Sequence, residues 1–223
     1  MPDDVNPGAA RRPATDRRSY DVSRRRERAR ERRRDVVHAA RHLFEERGYT
    51  ATTIVDVARA AGVSPESIYK SFGSKAALLK EVFDVVIAGD DEPVAVPDRA
   101  EATAIREEPD LRRKLLMYAE QAAVRAQRSA AIQIVIRNGA ASDPDLRRLW
   151  DQLAEQRLTG MGMLAGHLAT TGELRADPDA ARDVLWTCIS VEIYDLLVLQ
   201  RGWSLPTYTD WLGRTLVTHL IGD

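Results

Sequence analysis

The stretch ARAAGVSPESIYKSFGSK, Ala58 to Lys75, gathers hydroxyls at Ser64, Ser67 and Tyr69, ammonium groups at Lys70 and Lys75, and the Glu66 carboxylate. Thr53 lies just upstream. These groups donate and accept hydrogen bonds and carry charge, but none sits as a nucleophile beside a base. Their chemistry is recognition rather than bond making. Elsewhere, HAARH sets His38 and His42 one helical turn apart with Glu45 and Glu46 close behind, a spacing that resembles a zinc site. Ala39 stands where the zinc-protease motif has its glutamate, and no third ligand is secured, so no metal is expected. There is no glycine-rich phosphate cradle, nucleophile elbow or cysteine pair, and neither an enzyme activity nor a cofactor is expected. The lone Cys188 sits in an apolar segment and reads as a small buried hydrophobe.

The elements that must position the polar groups are helices. Ala, Arg, Leu and Glu are abundant, aromatics make up 6%, and alternating β-branched runs are missing, so the fold class is all-α. Val36, Val37, Ala40, Leu43 and Phe44 form an apolar stripe that Gly48 closes. A second helix begins at Thr53 with Asp56 as its capping partner, and Ile54, Val57, Ala58 and Ala61 make one face. Gly62 permits a sharp turn and Val63 plugs it. Ser64 caps a third, short helix whose first position suits Pro65. Ser74 caps a fourth, running to about Ala88 with Leu78, Leu79, Val82 and Val86 inward. With a small residue at Ala58 and apolar plugs at Val57, Ala61, Val63 and Ile68, the second and third helices form a helix-turn-helix. Such a third helix enters the major groove while the second crosses the backbone.

Charge divides the chain in the same way. Residues 1–80 carry 18 Lys and Arg against 11 Asp and Glu, and residues 81–223 carry 15 against 23. A basic front on an acidic body suits a polyanion partner for one half only. Residues 1–23 lack periodicity and read as a disordered arm. Residues 24–88 read as the helix-turn-helix domain, and the breaker-rich GDDEPVAVP, Gly89 to Pro97, opens a larger helical domain over 89–223. Helices are expected near 98–107, 110–127, 129–140, 143–171, 178–201 and 206–221, with Asp110, Ser142 with Asp145, Asp177 and Leu205-Pro206 marking starts. No signal peptide or membrane span is indicated, and with one cysteine the chain fits a reducing cytoplasm.

Residues 35–80 resemble the TetR family of one-component transcriptional regulators. The likeness rests on LFEERGYTATTIVDVARAAGVSPESIYKSFGSKAALL, including Phe44, Gly48, Thr53, Ala58, Ala61-Gly62-Val63, Tyr69, Phe72 and Lys75. The resemblance implies phosphate-contacting hydroxyls at Thr53 and Tyr69 and a phosphate-pairing ammonium at Lys75. Pro65, Glu66, Ser67 and Lys70 occupy the reading face. Lys70 can donate to guanine O6/N7 or to a phosphate. Glu66 can accept from cytosine N4 or simply favour the helix N-terminus. The Arg24, Arg25, Arg26 and Arg28 run extends the first helix, enters a minor groove or is merely solvated.

In the acidic half, VLWTCISVEIYDLLVL, Val184 to Leu199, is apolar on nearly every side and needs cover on nearly every side. Helices 178–201 and 206–221, the latter with a Trp211, Leu212, Leu216 and Leu220 stripe, are expected to pair two chains as a four-helix bundle. The middle helices carry pocket-like groups: Met117, Tyr118, Gln121, Ile134 and Arg137, then Trp150, Met161, Met163 and Leu164, then Trp186, Ser190 and Tyr194. Apolar walls with few polar groups suit a small-molecule cavity, though each residue alone also fits ordinary core. The GMGM run, Gly160 to Met163, marks either close packing or a ligand-adapted bend. The combined expectation is a homodimeric regulator, by family habit a repressor, that binds a palindromic DNA operator and is released by a small-molecule effector. The alternative is a helix-turn-helix protein that needs no effector.

Overall fold

The computed structural model describes the backbone of residues 14–90, 92 and 96–222, with most side chains from Arg24 onward. Every regular element among them is helical: α1 (Ala14–Ala51), α2 (Ile54–Ala61), α3 (Pro65–Phe72), α4 (Lys75–Ala88), α5 (Ala100–Glu107), α6 (Leu111–Gly139), α7 (Pro144–Thr171), α8 (Pro178–Cys188), α9 (Val191–Tyr194) and α10 (Leu205–Leu220). A 3-10 turn, Val96–Asp98, precedes α5, and a π-helical segment, Asp195–Gln200, continues α9.

α1 starts earlier than the sequence suggested. Residues 14–23, expected to be part of an irregular arm, are helical; residues 1–13 of that arm lie outside the described residues. No Gly or Pro interrupts residues 14–47, so each added turn extends an existing helix rather than nucleating a new one. At Gly48, with φ 75°, α1 kinks into its last turn. Two expected helices, 110–127 and 129–140, are one continuous α6, because Ser129 closes back on the helix by donating to Arg125 O at 2.7 Å. The expected 178–201 helix is instead broken at Ile189 and Ser190, where Ser190 is extended (φ −66°, ψ 148°). Capping follows side-chain oxygens: Asp110 and Asp177 cap as expected, but Asp143 rather than Ser142 caps α7, and Ser204 caps α10. α7 runs unbroken through GMGM, and a Cβ at Gly160 would meet nothing within 4 Å.

Two cores organise the helices. The first joins α1–α4 around the fully buried Phe44, Leu78 and Leu79, and takes Ile132 and Ile136 from α6 and Leu146 and Leu149 from α7. The second packs α6 and α10 with α5, α7, α8 and α9 around Leu115, Leu168, Leu185 and Tyr208. Trp150 is partly buried against both. Leu212, Leu216 and Leu220 are fully buried in this second core. The α10 stripe expected to face another chain therefore covers its own, because α10 lies along α6.

The joint after α4 is tied by charge. The Arg99 guanidinium donates to both Asp90 carboxylate oxygens at 2.6 and 2.7 Å. These bonds, followed by one from the Glu92 amide, hold the Asp90 carboxyl down from its ordinary 3.8 to about 2. The stabilisation is complete above the ordinary value and is lost as pH falls through about 2. Asp90→Asn is expected to flatten the acid limb of a plot of Tm against pH across that window.

Candidate nucleic-acid interface

Thr53 caps α2 reciprocally. Its Oγ1 accepts from the Asp56 amide at 3.1 Å, while the Asp56 carboxylate accepts from the Thr53 amide at 3.2 Å and hydroxyl at 2.5 Å. These bonds from Thr53 hold the Asp56 carboxyl below its ordinary value. They also fix an exposed hydroxyl at the head of α2. The turn follows from Gly62, whose φ of 65° favours a residue without a Cβ. Val63 N–H then bonds back to Ala58 O at 3.0 Å.

α3 restarts on Ser64, whose Oγ accepts from the Ser67 amide at 3.3 Å and lies 3.1 Å from Ser67 Oγ, with Pro65 in the first turn. Ile68, 1% exposed, pins α3 to the first core. The opposite face presents Glu66, Ser67, Tyr69 and Lys70 to solvent, with Tyr69 53% exposed. The Glu66 carboxyl is held below its ordinary value by its own amide and then by Ser64. That contact suits the helix-terminal role as well as a reading one.

Three groups that secure α3 and α4 were not singled out in the sequence or point in an unforeseen direction. Lys75 turns inward: its Nζ donates to Tyr49 O and Thr52 O, each at 3.0 Å, and lies 3.9 Å from the Tyr49 ring centroid. Burial lowers its pKa. The buried Thr52 hydroxyl sits between Leu43 O and Gly48 O, at 3.1 and 2.8 Å, and holds the kinked end of α1. Arg33 reaches from α1 to α3 and α4. It donates to Ser71 O and Glu81 Oε1, each at 3.0 Å, and covers the Phe72 ring at 4.3 Å. Arg33→Met is therefore expected to weaken duplex binding by loosening the end of α3, with a smaller loss of Tm, in parallel binding and melting measurements.

Farther up α1, Arg24, Arg26 and Arg28 are exposed on a continuous helix; the side chain of Arg25 lies outside the described residues. His38 and His42 are exposed and line a groove of 390 Å³ with Asp35, Leu43, Ala60 and Ala61. Among the described residues no group of three or more His, Cys, Asp or Glu converges on a common point.

Residues 36–82, which span this capped helix-turn-helix, match the family model described as bacterial regulatory proteins, tetR family. The HTH-type transcriptional regulator TtgR of Pseudomonas putida is 27% identical over 198 residues, covering 86% of this chain and 90% of that protein. Residues 36–82 carry the TetR-family helix-turn-helix signature. The likeness of fold extends through the body. The crystal structure of a TetR-family protein from Mesorhizobium loti superposes with a TM-score of 0.65 at 22% identity, over 85% of this chain and 95% of that one. A transcriptional regulator from Saccharomonospora viridis, crystallised in complex with choline, gives 0.64 at 19% identity over 85% and 97%. The chain shares with these regulators an N-terminal helix-turn-helix domain and a larger C-terminal helical domain.

In the C-terminal body, the candidate ligand residues gather only in part. Tyr118, Ser190 and Tyr194 are buried; Met117, Gln121, Ile134, Arg137, Trp150, Met161, Leu164 and Trp186 are partly buried. Met163 points outward, 72% exposed, because it falls on the outer face of α7. Arg137 is engaged by Asp195, at 2.8 Å. Tyr118 Oη donates to Met161 Sδ at 3.1 Å, and Trp186 Nε1 donates to Ala154 O at 3.3 Å. Two polar residues that the sequence left aside, Arg157 and Glu192, share this interior.

Proposed function

We propose that two copies of this chain bind a palindromic operator, each placing α3 in the major groove, and that a small molecule in the second core releases them. Repression is the expected sign of regulation, and the cytoplasm the expected place. The observation that carries the reading is the division of α3: Ile68 is sealed in the core while Glu66, Ser67, Tyr69 and Lys70 stand outside. Thr53 and Tyr69 supply hydroxyls for phosphates, Pro65 and Ser67 approach the base edges, and Lys70 adds a cation. Lys70→Ala is expected to lower duplex affinity and to reduce the slope of log affinity against log salt by about one. Selection of duplexes from a random pool tests the whole reading; the expected product is a two-fold symmetric site, and a pool without enrichment contradicts it.

Pairing of the chains is assigned to the region of α8, α9 with its π segment, and α10. Leu196 and Leu199, 50% and 53% exposed on the π segment, supply apolar surface for it. Release is assigned to α4, which joins the reading head to the body. Arg128 on α6 donates to the last carbonyls of α4, Val86 O at 3.2 Å and Ile87 O at 2.9 Å. A shift of α6 around a bound molecule thus pulls on α4. Such coupling is typically about 1–3 kcal/mol and reciprocal, so DNA is expected to weaken effector binding by the same factor. The structure of a neighbour holding choline supports a ligand-binding body in a protein of this fold.

A further inference from the structure

Beside the second core, the partly buried Arg157 and Glu192 each hold one buried atom, Nε and Oε2, without a hydrogen-bond partner. They come from different elements, α7 and α9, and Glu192 and the core residue Tyr118 both act electrostatically on Arg157. Glu192 is the first opposite charge acting on Arg157, whose pKa is nevertheless lowered, chiefly by burial. The Arg157 guanidinium lies 4.8 Å from the Trp186 ring centroid. One turn along α7, Met161 receives the buried Tyr118 hydroxyl, and a thioether is a weak acceptor. The interior therefore holds one unspent donor, one unspent acceptor and one donor on a poor partner, beside Met161, Tyr194 and Leu164 of the second core and with Trp186 against Arg157. Unmatched groups of this kind are costly in a core and rare without a use.

We infer that this interior takes an uncharged, mainly apolar molecule through one group that both accepts and donates a hydrogen bond, such as a hydroxyl. Arg157 and Tyr118 donate to it and Glu192 accepts from it. This deepens the effector reading and rests on it. The charge balance selects the class. A carboxylate would gain from Arg157 but face Glu192, and an ammonium would gain from Glu192 but face Arg157. Either ion would also leave water. A neutral hydroxyl satisfies both sides without bringing a charge.

The test uses the full chain and four probes on one skeleton: 2-naphthol, 2-naphthoate, 2-naphthylmethylammonium and naphthalene. Affinity is read by titration calorimetry and melting shift, in the wild type and in an Arg157→Met, Glu192→Leu double variant. Naphthol is expected to bind about tenfold or more tightly than each of the other three. The double variant is expected to melt at or above the wild-type temperature, since both unmatched groups leave together, and to lose most of the preference for naphthol over naphthalene, Tyr118 alone remaining to donate. Tighter binding of either ion, no binding of naphthol, or a naphthol preference undiminished in the double variant overturns the inference. Enrichment of a duplex by the same preparation is measured alongside. Its presence in any of those cases leaves the operator reading standing, and its absence beside an intact naphthol preference removes that reading alone.

Discussion

Ile68→Ala is expected to cost about 2–5 kcal/mol of stability and to abolish selective duplex binding. Ile68 is the buried residue of an eight-residue helix, with Phe72 partly buried beside it. An isolated helix of that length does not persist in water, so α3 exists because the core holds it. Removing most of the Ile68 side chain opens a cavity under the element that presents Glu66, Ser67, Tyr69 and Lys70. Against a typical total stability of about 5–15 kcal/mol, the loss shows directly in a denaturant titration. Ile68→Val, expected to cost about 0.5–1.5 kcal/mol, should retain binding and serves as the control. An Ile68→Ala protein that still selects the same duplex would mean that α3 is not the reading element.

The second large effect is expected from Lys75→Met. The family resemblance makes this ammonium a phosphate contact, whereas the structure turns it onto Tyr49 O and Thr52 O. Methionine keeps the stem's bulk but leaves two partly buried carbonyls without their donor, a loss of about 1–3 kcal/mol. The kinked end of α1 and the start of α4 then separate. Lower stability with an unchanged salt slope of duplex affinity is the expected result. Unchanged stability with a slope reduced by about one would return Lys75 to the phosphate role.

The parts of the fold that the sequence made legible are those governed by neighbours in the chain. Thr53 with Asp56, Gly62, and Ser64-Pro65 are local chemistry, and the helix-turn-helix they imply is the one observed. The parts that were not legible depend on distant partners. Nothing in residues 184–201, which contain neither Gly nor Pro, announces the break at Ile189 and Ser190 or the π segment after it. The α10 stripe looked like an interface because an apolar face does not reveal which surface covers it, and here α6 does. Arg33 was one arginine in a run of them, and its hold on Ser71 O is set by the fold. Arg157 and Glu192 were passed over because charged residues in a helix usually mark the wet side. Only the packing of α7 against α8 and of α9 against α6 brings atoms of both inside.

The central claim is that paired chains present α3 to successive major grooves of one duplex, with half-sites about 34–36 Å apart. It is tested most directly by comparing the duplex selected from a random pool with the same duplex carrying half a helical turn, about 5 base pairs, inserted at its centre of symmetry. The insertion swings one half-site to the opposite side of the helix. The expected result is two chains bound to the selected duplex and near-complete loss of binding after insertion. Equal affinity for both duplexes, or one chain bound to each, would contradict the account.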